Sequence, residues 1–522
     1  MKSPAPVRFA SSLPQALIFA GLACVSASAC GDDDATPSDA GVDTGVRVDL
    51  GSDAGPPWAG WPSCDPSATQ QRLSFVHTND LHANYTQDAR GHNRWARIRG
   101  FYERTRIDSP YTIFTDGGDD HEKGSIAELL SGGRATLELV HAMEFDARVI
   151  GNHDFAWSLA ELLDYSRDPH AVVLASNQHY TGPDPAAFGA VDFAVLQVGC
   201  VRVGFGGLVS TPWDERDRPI PENFYPEIDG DYDYTAQAQA LVDAHRDEVD
   251  VFVLIDHIGQ TEDEEVARNV PGIDVVLSGH SHTLTAEPHL VGDSIVVQSG
   301  SFADFIVRLD VDVDLATHDV SLASYTVRPT FLEDPSPAID AAVARVMAMY
   351  APNALESLGR MRTTHDETGV ADFAARASMA ELTAQAAIID VDTVRGTFGS
   401  GDVTAQDMLD AFKVERERPG TSGFNSLYRA TVSGAVLSIA ASAASERWRY
   451  VGPATIDPTA TYAIVLQKRT ALHPDEYLPA GVTLDAPTAQ TEVWETLESY
   501  ARARTAACLY VDVDEPIDGC SP

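Results

Sequence analysis

Short apolar runs rich in β-branched residues recur along the first part of the chain, and turn-forming residues bound each run. Runs of this length and composition predict buried strands. Helical patterns lie between several of them, at residues 92–105, 134–144 and 236–246. This alternation predicts a layered α/β core. The predicted strands are residues 73–76, 111–114, 147–150, 251–255, 275–277 and 295–297.

Three later patterns extend this prediction. Residues 193–208 predict a hairpin, and residues 305–313 alternate between apolar and polar side chains as an edge strand does. A Pro-Ser-Pro break at residues 335–337 precedes an Ala-rich helix at residues 338–350.

The length of 522 residues exceeds what one hydrophobic core ordinarily supports. We therefore predict two domains. The first occupies residues 63–334, a helical linker occupies residues 335–353, and a second α/β domain occupies residues 354–522.

The N-terminus has the pattern of a secretory signal. Lys2 and Arg8 precede an apolar stretch that is too short and too interrupted to span a bilayer, and small residues then lead to Cys30. This arrangement resembles a bacterial lipoprotein site, which predicts a signal peptide at residues 1–29 and a lipid on Cys30 that anchors the chain to a membrane. Because Ala27 stands where leucine is commoner, ordinary cleavage nearby is the alternative. Either case predicts a secreted bacterial protein, periplasmic or at the cell surface.

Residues 30–62 are dominated by Asp, Gly, Ser, Thr and Pro. Such a segment buries too little apolar surface to offset the entropy lost on ordering, so we predict a disordered acidic tether. Four cysteines remain beyond it, and four cysteines in an oxidising compartment allow three pairings. We predict that Cys508 pairs with Cys520, because both lie near the C-terminus among turn residues, which leaves Cys64 for Cys200.

The net charge of -42 excludes one class of partner. A protein that binds nucleic-acid polymers needs clustered Lys and Arg, whereas this chain has no basic stripe. The acidity is instead typical of a solubility or habitat bias. The expected partner is a small molecule.

Five short motifs each end a hydrophobic segment with a metal-binding side chain. Hard oxygen ligands mixed with imidazoles suit first-row divalent cations, and paired cations suit phosphoester displacement. Because ligands at the C-terminal ends of strands lie on a rigid base, we expect the motifs to converge. Their order predicts a two-metal hydrolase. The motifs are Asp80-Leu81-His82, Gly118-Asp119, Gly151-Asn152-His153-Asp154, Asp256-His257 and Gly279-His280-Ser281-His282.

The motif set resembles the calcineurin-like metallophosphoesterase superfamily, and within it the two-domain 5′-nucleotidase and 2′,3′-cyclic-nucleotide phosphodiesterase family. The strings VHTNDLHAN, GNHD and SGHSHT carry the resemblance, which is strong over residues 73–302 and weaker to about residue 467. It implies a layered β-sandwich flanked by helices and a C-terminal α/β substrate-binding domain joined by a helix. It also implies hydrolysis of nucleotides or similar small phosphate esters by attack of a metal-bridging hydroxide on phosphorus.

The resemblance implies a role for each ligand. Asp119 would bridge two divalent cations, because the two oxygens of a carboxylate can serve both. Asp120 is the alternative bridge, since the family usually has one residue fewer before the next glycine, here Gly124. Mn, Zn, Fe and Co suit this ligand set alike, so the identity of the metal stays open. The oligomeric state also stays open. The implied terminal ligands are Asp80, His82 and His282 for one cation, and Asn152, His257 and His280 for the other.

The resemblance gives His153 the role of contacting the phosphate, where it would stabilise charge or protonate the leaving oxygen. Many family members place an aspartate three residues later to orient this histidine. The corresponding residue here is Ala156, so Asp154 or Asp120 is the expected substitute.

The second domain departs further from the family pattern. Arg395 keeps the position expected to bind a substrate phosphate, but Asp392 replaces a glycine near it. Phe424 and Tyr477 are candidate partners for a stacked base, with ordinary packing as the alternative. Two rivals to a nucleotidase stay open. The poorly matched nucleoside pocket leaves a phosphoesterase for a non-nucleotide ester, and Ala156 together with Asp392 leaves a weakly active surface binding protein that contains metal.

Overall fold

The computed structural model describes residues 48–49, 60–87, 93–212, 224–415, 423, 425–443, 447–517 and 519–520. Its strands are β1 (Val48–Asp49), β2 (Gln70–Thr78), β3 (Thr112–Asp116), β4 (Ala147–Val149), β5 (Val172–Leu174), β6 (Gln178–Tyr180), β7 (Phe193–Val198), β8 (Val201–Gly206), β9 (Ile228–Gly230), β10 (Val251–Asp256), β11 (Val275–Ser278), β12 (His289–Val291), β13 (Ser294–Gln298), β14 (Phe305–Asp314), β15 (Val320–Pro329), β16 (Ser357–Met361), β17 (Ala386–Asp390), β18 (Gly401–Thr404), β19 (Ser426–Ser433), β20 (Trp448–Val451), β21 (Thr461–Gln467) and β22 (Asp485–Glu492).

Helices alternate with these strands, which gives the mixed α/β class that the sequence predicts. They are α1 (Arg94–Asp108), α2 (Ile126–Ser131), α3 (Arg134–Met143), α4 (Leu159–Ser166), α5 (Tyr234–His245), α6 (Gln260–Asn269), α7 (Pro337–Tyr350), α8 (Glu367–Glu381), α9 (Ala405–Ala411), α10 (Gly434–Ser442), α11 (Lys468–Leu472), α12 (Pro474–Tyr477) and α13 (Val493–Ala506).

Two large sheets form the first part of the molecule. One has the strand order β1-β7-β8-β10-β11-β13-β12, and the other has the order β15-β14-β2-β3-β4-β5. Strand β10 shows how they stack, because successive side chains of a strand point to opposite faces. Val253 joins the apolar cluster that contains Phe75 of the other sheet. Phe252 lies in a second cluster with Ala238 of α5 and Val266 of α6. The sheets therefore form a sandwich with helices outside.

The described strands overlap all six predicted strands, and the predicted hairpin is confirmed as the antiparallel pair β7 and β8. The prediction of an edge strand at residues 305–313 is wrong. Strand β14 pairs with both β2 and β15, and β15 occupies the edge. The polar residues that alternate along β14 had suggested an edge strand. The strand at the edge is instead β15, and many of its residues are only half-buried.

The C-terminal part contains a sheet with the order β20-β17-β21-β19-β22 and a small sheet of β16 and β18. Ala387 of β17 packs in the same cluster as Phe373 of α8 and Leu497 of α13. On the opposite face, Ile388 packs with Leu437 of α10. Helix α7 precedes this part, in agreement with a helical linker, and the exact domain boundaries stay predictions.

Gln406, in the first turn of α9, joins the two parts of the molecule. Its side-chain amide donates to the carbonyl oxygen of Gly124 at 2.7 Å, and its side-chain oxygen accepts from the backbone N–H of Ile126 at 3.1 Å. Both partners follow the Gly118-Asp119 motif. The second part of the chain is therefore hydrogen-bonded to the turn after one of the metal-ligand motifs.

Both predicted disulfides are confirmed, Cys64 with Cys200 and Cys508 with Cys520. In the part of the chain that the structure describes, the helices are too short or too polar to cross a bilayer. The signal peptide at residues 1–29, Cys30 and most of the tether lie outside the described residues, so these features stay predictions. For the described tether residues the prediction of disorder is wrong, because Val48–Asp49 pairs with β7 and Trp61 donates to the carbonyl oxygen of Thr112.

Candidate metal centre and active site

The predicted ligands come from the C-terminal ends of strands in both sheets. Asp80 and His82 follow β2, and Asp119 follows β3. His257 directly follows β10, and His280 follows β11. Because β2 and β3 are parallel, as are β10 and β11, these strand ends reach one side of the sandwich. The ends of the strands thus supply a site that no single motif could form.

The backbone at this site is strained. Five ligand residues adopt the left-handed conformation that L-residues rarely take, which costs on the order of 1–3 kcal/mol for each residue. Such strain persists only where the surrounding fold imposes it, and it clusters at functional sites. The residues are Asp80 (φ 52°), His82 (φ 46°), Asp119 (φ 61°), His280 (φ 74°) and His282 (φ 56°).

Gly151 shows how closely the motifs approach one another. A Cβ atom on Gly151 would lie 2.2 Å from a carboxylate oxygen of Asp119. Real Cβ atoms do not approach oxygen atoms this closely, so only glycine fits. The GNHD string therefore needs glycine at position 151, because any larger residue would clash with the Asp119 carboxylate.

The first ligand group contains Asp80, His82 and His282, whose ligand atoms lie within 4.8 Å of one another. Nδ1 of His82 lies 3.0 Å from the carbonyl oxygen of His121, which can only accept, so Nδ1 carries the proton. In neutral His82, Nε2 then carries no proton, and it lies 3.1 Å from Nε2 of His282. Nε2 of His282 also lies 3.1 Å from Oδ1 of Asp80. Three donor atoms thus converge on one point.

The second group contains Asp119, His257 and His280, again within 4.8 Å. His257 donates its Nδ1–H to the carbonyl oxygen of Gly117 at 2.6 Å, which turns Nε2 toward Oδ2 of Asp119 at 3.0 Å. Asn152, the remaining predicted ligand, accepts a hydrogen bond at its side-chain oxygen from the Ser210 hydroxyl at 3.2 Å. The structure thus brings six of the seven predicted ligands into two groups.

Both groups fit divalent cations. Metal-ligating histidines typically donate their other ring N–H to a carbonyl or carboxylate, as His82 and His257 do here. Two buried atoms of the site, Oδ1 of Asp80 and Nε2 of His257, lack a well-formed hydrogen bond. Buried polar atoms are rarely left this way, so a cation among these donors would satisfy them.

The electrostatics of the second group also favour positive charge. Burial raises the pKa of the Asp119 carboxyl, but the charges of His257 and His153 outweigh it and hold that pKa well below its ordinary value. Burial lowers the pKa of His257, but the Asp119 carboxylate outweighs this and raises it to about 9. The Asp119 carboxyl is therefore favoured in its charged form, which is the form that can bind a cation.

Asp119 and Asp120, the two candidate bridges, point in different directions. Asp119 lies between the ligand groups, with Oδ2 at 3.8 Å from Nε2 of His82 and 3.0 Å from Nε2 of His257. Asp120 instead accepts from the Tyr165 hydroxyl at 2.7 Å and faces Arg148. This geometry favours Asp119 over Asp120 as the bridging carboxylate.

Asp154 lies under the same turn. Its two oxygens accept from the backbone N–H groups of Asp119, Asp120, His121 and Gly151 at 2.8–3.2 Å. They also face the His121 ring and the Tyr165 hydroxyl. Neither Asp154 nor Asp120 is hydrogen-bonded to the His153 ring, so the expectation that one of them orients it is wrong. The carboxylate of Asp154 instead accepts hydrogen bonds from the backbone of the turn at residues 119–121.

Glu122 is the acid beside His153, and it belongs to none of the five sequence motifs. Nδ1 of His153 donates to Oε2 of Glu122 at 2.7 Å, and the backbone N–H of His153 donates to Oδ1 of Asp119 at 2.7 Å. Burial and Lys123 lower the pKa of His153, but Asp119 and Glu122 outweigh them and the net shift is upward. The additional residue before Gly124 was the sequence signal that could have revealed this contact.

The second part of the chain contributes cationic groups near His153. Burial raises the pKa of Glu415, but the positive charges of Lys123, Arg395, His153 and Lys413 outweigh it and lower that pKa. Groups from both parts of the chain therefore surround one carboxylate close to the site.

An aromatic ring covers the first ligand group. The ring of Phe302 lies 5.3 Å from the ring of His82 and 5.1 Å from that of His282, measured between centroids. Nζ of Lys413 lies 4.5 Å from the centroid of the Phe302 ring, at a distance typical of a cation–π contact. Neither residue could be recognised from the sequence, because neither belongs to a motif.

The predicted substrate residues have mixed outcomes. Arg395 is exposed and donates to the backbone carbonyl of Asp392. The Asp392 carboxylate instead pairs with Arg447 at 3.3 Å. The Tyr477 ring lies 5.8 Å from the Arg447 guanidinium. Phe424 lies outside the described residues, so its proposed stacking role stays a prediction.

A model of the calcineurin-like phosphoesterase family matches residues 73–284, which contain all seven predicted ligands. These residues form a calcineurin-like phosphoesterase domain. The trifunctional nucleotide phosphoesterase protein YfkN of Bacillus subtilis is 26% identical over 276 residues, which cover 46% of this chain and 18% of YfkN. The snake venom 5′-nucleotidase of Crotalus adamanteus is 26% identical over 253 residues, which cover 46% of this chain and 41% of that protein. The chain thus spans less than half the length of these relatives.

The likeness in fold extends beyond the phosphoesterase domain. The solved structure of a 5′-nucleotidase precursor from Thermus thermophilus matches with a TM-score of 0.61 and 17% sequence identity. The match covers 83% of this chain and 96% of that one. The C-terminal part therefore shares the fold of a 5′-nucleotidase.

Proposed function

We propose that this protein is a metal-dependent phosphoester hydrolase that acts on nucleotides or similar small phosphate esters. The observation that carries the proposal is the convergence of six predicted ligands in two groups beside His153. Phosphoester hydrolysis needs positive charge facing the phosphoryl oxygens and a proton for the leaving group. The phosphoesterase domain has residues suited to both needs.

Two divalent cations are the proposed cofactors. Asp80, His82 and His282 would hold one, His257, His280 and Asn152 would hold the other, and Asp119 would contact both. When bound, such cations lower the pKa of water and neutralise charge on a phosphoryl group. Mn, Zn, Fe and Co suit these oxygen and nitrogen donors alike.

His153 is the proposed catalytic residue that contacts substrate. Its backbone is fixed by Asp119 and its ring by Glu122, while its side chain stays 16% exposed at the edge of the ligand groups. An imidazolium there can stabilise charge on the phosphoryl group or give a proton to the leaving oxygen. Asp154 is better suited to hold the turn that carries Asp119 than to act on substrate.

Arg395 is the proposed phosphate-binding residue of the second part. It is exposed, and its positive charge lowers the pKa of Glu415, as the charge of His153 also does. The departure at Asp392 is less disruptive than expected, because that carboxylate pairs with Arg447. A guanidinium in this place can hold a phosphate of a substrate that spans both parts.

One alternative substrate class is retained. Asp392 stands where the family has a glycine, and its carboxylate stays 66% exposed although it pairs with Arg447, so a non-nucleotide phosphate ester is the second candidate. The rival of a weakly active binding protein is weakened, because the His153 ring contacts a carboxylate, that of Glu122, although position 156 is alanine.

The proposed location is outside the cytoplasm. Two disulfides fit an oxidising compartment, where such bonds persist. Lipid attachment at Cys30 is part of this proposal. Mass spectrometry of the mature N-terminus tests it, and a mature chain without lipid would contradict it.

A substrate screen with the purified full chain tests the proposed function. AMP, a 2′,3′-cyclic nucleotide, a sugar phosphate and p-nitrophenyl phosphate would be assayed with Mn²⁺, Zn²⁺, Fe²⁺ and Co²⁺ after chelation. We expect metal-dependent release of phosphate, or of a nucleoside monophosphate from the cyclic substrate, with AMP the best monoester. Turnover of a sugar phosphate alone would favour the second candidate. Absence of turnover with every ester and metal would refute the proposed function.

A further inference from the structure

A single contact in the active site departs from the family pattern. The side chain of Glu122 is 1% exposed and accepts the Nδ1–H of His153 at 2.7 Å. Position 156, where many family members have the orienting aspartate, is a buried alanine here. We propose that Glu122 is the positioning residue of His153 and replaces the aspartate missing at position 156. This inference rests on the proposed phosphoester hydrolysis.

Glu122 is held in place by its own contacts. Its backbone is left-handed, with φ 67°, so the turn that contains it must be stabilised from outside. Its N–H donates to Oε1 of Glu128 at 2.7 Å. The same carboxylate of Glu128 accepts from Trp157 Nε1 at 2.7 Å and from the Thr136 hydroxyl at 3.0 Å. The buried acid of α2 therefore fixes the backbone from which Glu122 reaches His153.

The neighbouring carboxylates accept hydrogen bonds from groups other than the His153 ring. Asp154 accepts the amides of the 119–121 turn, and Asp120 accepts from Tyr165. Asp119 accepts the backbone N–H of His153 and belongs to a ligand group. Glu122 is thus the carboxylate that the fold directs at the His153 ring.

This contact determines which edge of the ring meets the substrate. Because Glu122 accepts at Nδ1, the proton there is fixed and Nε2 is turned outward. In the proposed step, the bond from phosphorus to the attacking water oxygen forms and the bond from phosphorus to the leaving oxygen breaks. The leaving oxygen takes the electron pair of the broken bond and the proton of Nε2. Glu122 does not touch the substrate, so it acts through the alignment and charge of His153.

The dependence on the leaving group distinguishes this role from a general structural one. Phenolate leaves poorly without a proton, whereas p-nitrophenolate leaves readily with none. Glu122→Ala should therefore lower kcat for phenyl phosphate by about 10²-fold, while kcat for p-nitrophenyl phosphate falls by less than about threefold. Glu122→Gln keeps a neutral acceptor, so its effect should be intermediate. KM for both esters should change little.

The experiment compares the full-length wild type, Glu122→Ala, Glu122→Gln and Glu122→Ala/Ala156→Asp. Glu265→Ala, in an exposed position of α6, is the matched control and should behave as wild type. Bound metal is measured for each variant, so that loss of cations is not mistaken for loss of alignment. Recovery of the phenyl phosphate rate in the double variant supports the proposal.

Two results separate this inference from the proposed function. If wild type hydrolyses neither aryl ester nor AMP with any metal, the proposed function fails first. If wild type is active and metal-replete Glu122→Ala loses both aryl esters equally, or neither of them, the positioning role is refuted and the hydrolase survives.

Discussion

Replacing Asp154 by asparagine should destabilise the phosphoesterase domain more than it alters the chemistry. The carboxylate accepts six hydrogen bonds, from four backbone N–H groups, the His121 ring and the Tyr165 hydroxyl. In asparagine one oxygen becomes an NH₂ group, so several buried donors face another donor. A hydrogen bond to a charged group contributes about 1.5–3 kcal/mol. After partial relaxation of the turn, we expect a loss of about 3–5 kcal/mol, as for other broken buried pairs.

Urea unfolding, followed by tryptophan fluorescence in the presence of chelator, measures this loss without the contribution of bound cations. The unfolding midpoint of the first transition should fall by about 1–2 M. Asp293→Asn, at an exposed turn between β12 and β13, is the matched control and should stay within about 0.5 kcal/mol of wild type. An unchanged midpoint together with a lost kcat would contradict the hydrogen-bond reasoning and give Asp154 a direct part in catalysis.

Three other predictions follow from the geometry of the site and the core. Asp119→Asn should lower bound metal from two ions toward one or fewer, measured by mass spectrometry of the metals, and two tightly retained ions would transfer the bridging role to Asp120. Arg395→Ala should raise KM for AMP by about 10- to 100-fold, from about 1.5–3 kcal/mol of lost charge-assisted bonding, while KM for p-nitrophenyl phosphate barely changes; equal effects on both esters would exclude a nucleotide-binding role. Burial raises the pKa of Asp274 to about 6, although the N–H of Phe252 and Arg246 oppose the shift. Its folded form therefore holds a proton more tightly than the unfolded form, so its contribution to stability is greatest below about pH 4 and is lost as the pH rises through about 6. The free energy of unfolding of wild type minus that of Asp274→Asn should fall by roughly 2–3 kcal/mol over this window, and a pH-independent difference would contradict the assignment.

The strands and the metal ligands could be predicted from the sequence because the apolar strand pattern and the polar ligand motifs lie next to each other in the chain. An apolar run ends, a polar motif begins, and the fold brings the ends of β2, β3, β10 and β11 together. The error at β14 has a physical cause. Strand β15 has no continuous apolar run, because many of its side chains are half-buried or exposed, so its pairing with β14 had no sequence signal.

The role of Glu122 could not be predicted in the same way. Two departures from the family pattern, the additional residue before Gly124 and the alanine at position 156, mark this region but do not show which acid reaches His153. Only the left-handed turn brings Glu122 to His153, across 31 positions of the chain. The sequence of the turn does not predict this left-handed backbone, because hydrogen bonds to distant carboxylates such as Asp154 and Glu128 hold it in place.

The hydrogen bonds of Gln406 make the two parts of the chain thermodynamically dependent on one another. Gly124, which Gln406 holds, is two residues from Glu122, and a Cβ on it would meet the carbonyl oxygen of His82 at 2.2 Å. A ligand that shifts α9 through Arg395 would therefore also perturb the alignment of His153, and by reciprocity the occupancy of the metal centre would alter the affinity of the second part. Removing the chain beyond α7 would take away both hydrogen bonds of Gln406, so we expect the turn at residues 122–126 to be less stable in the isolated phosphoesterase domain.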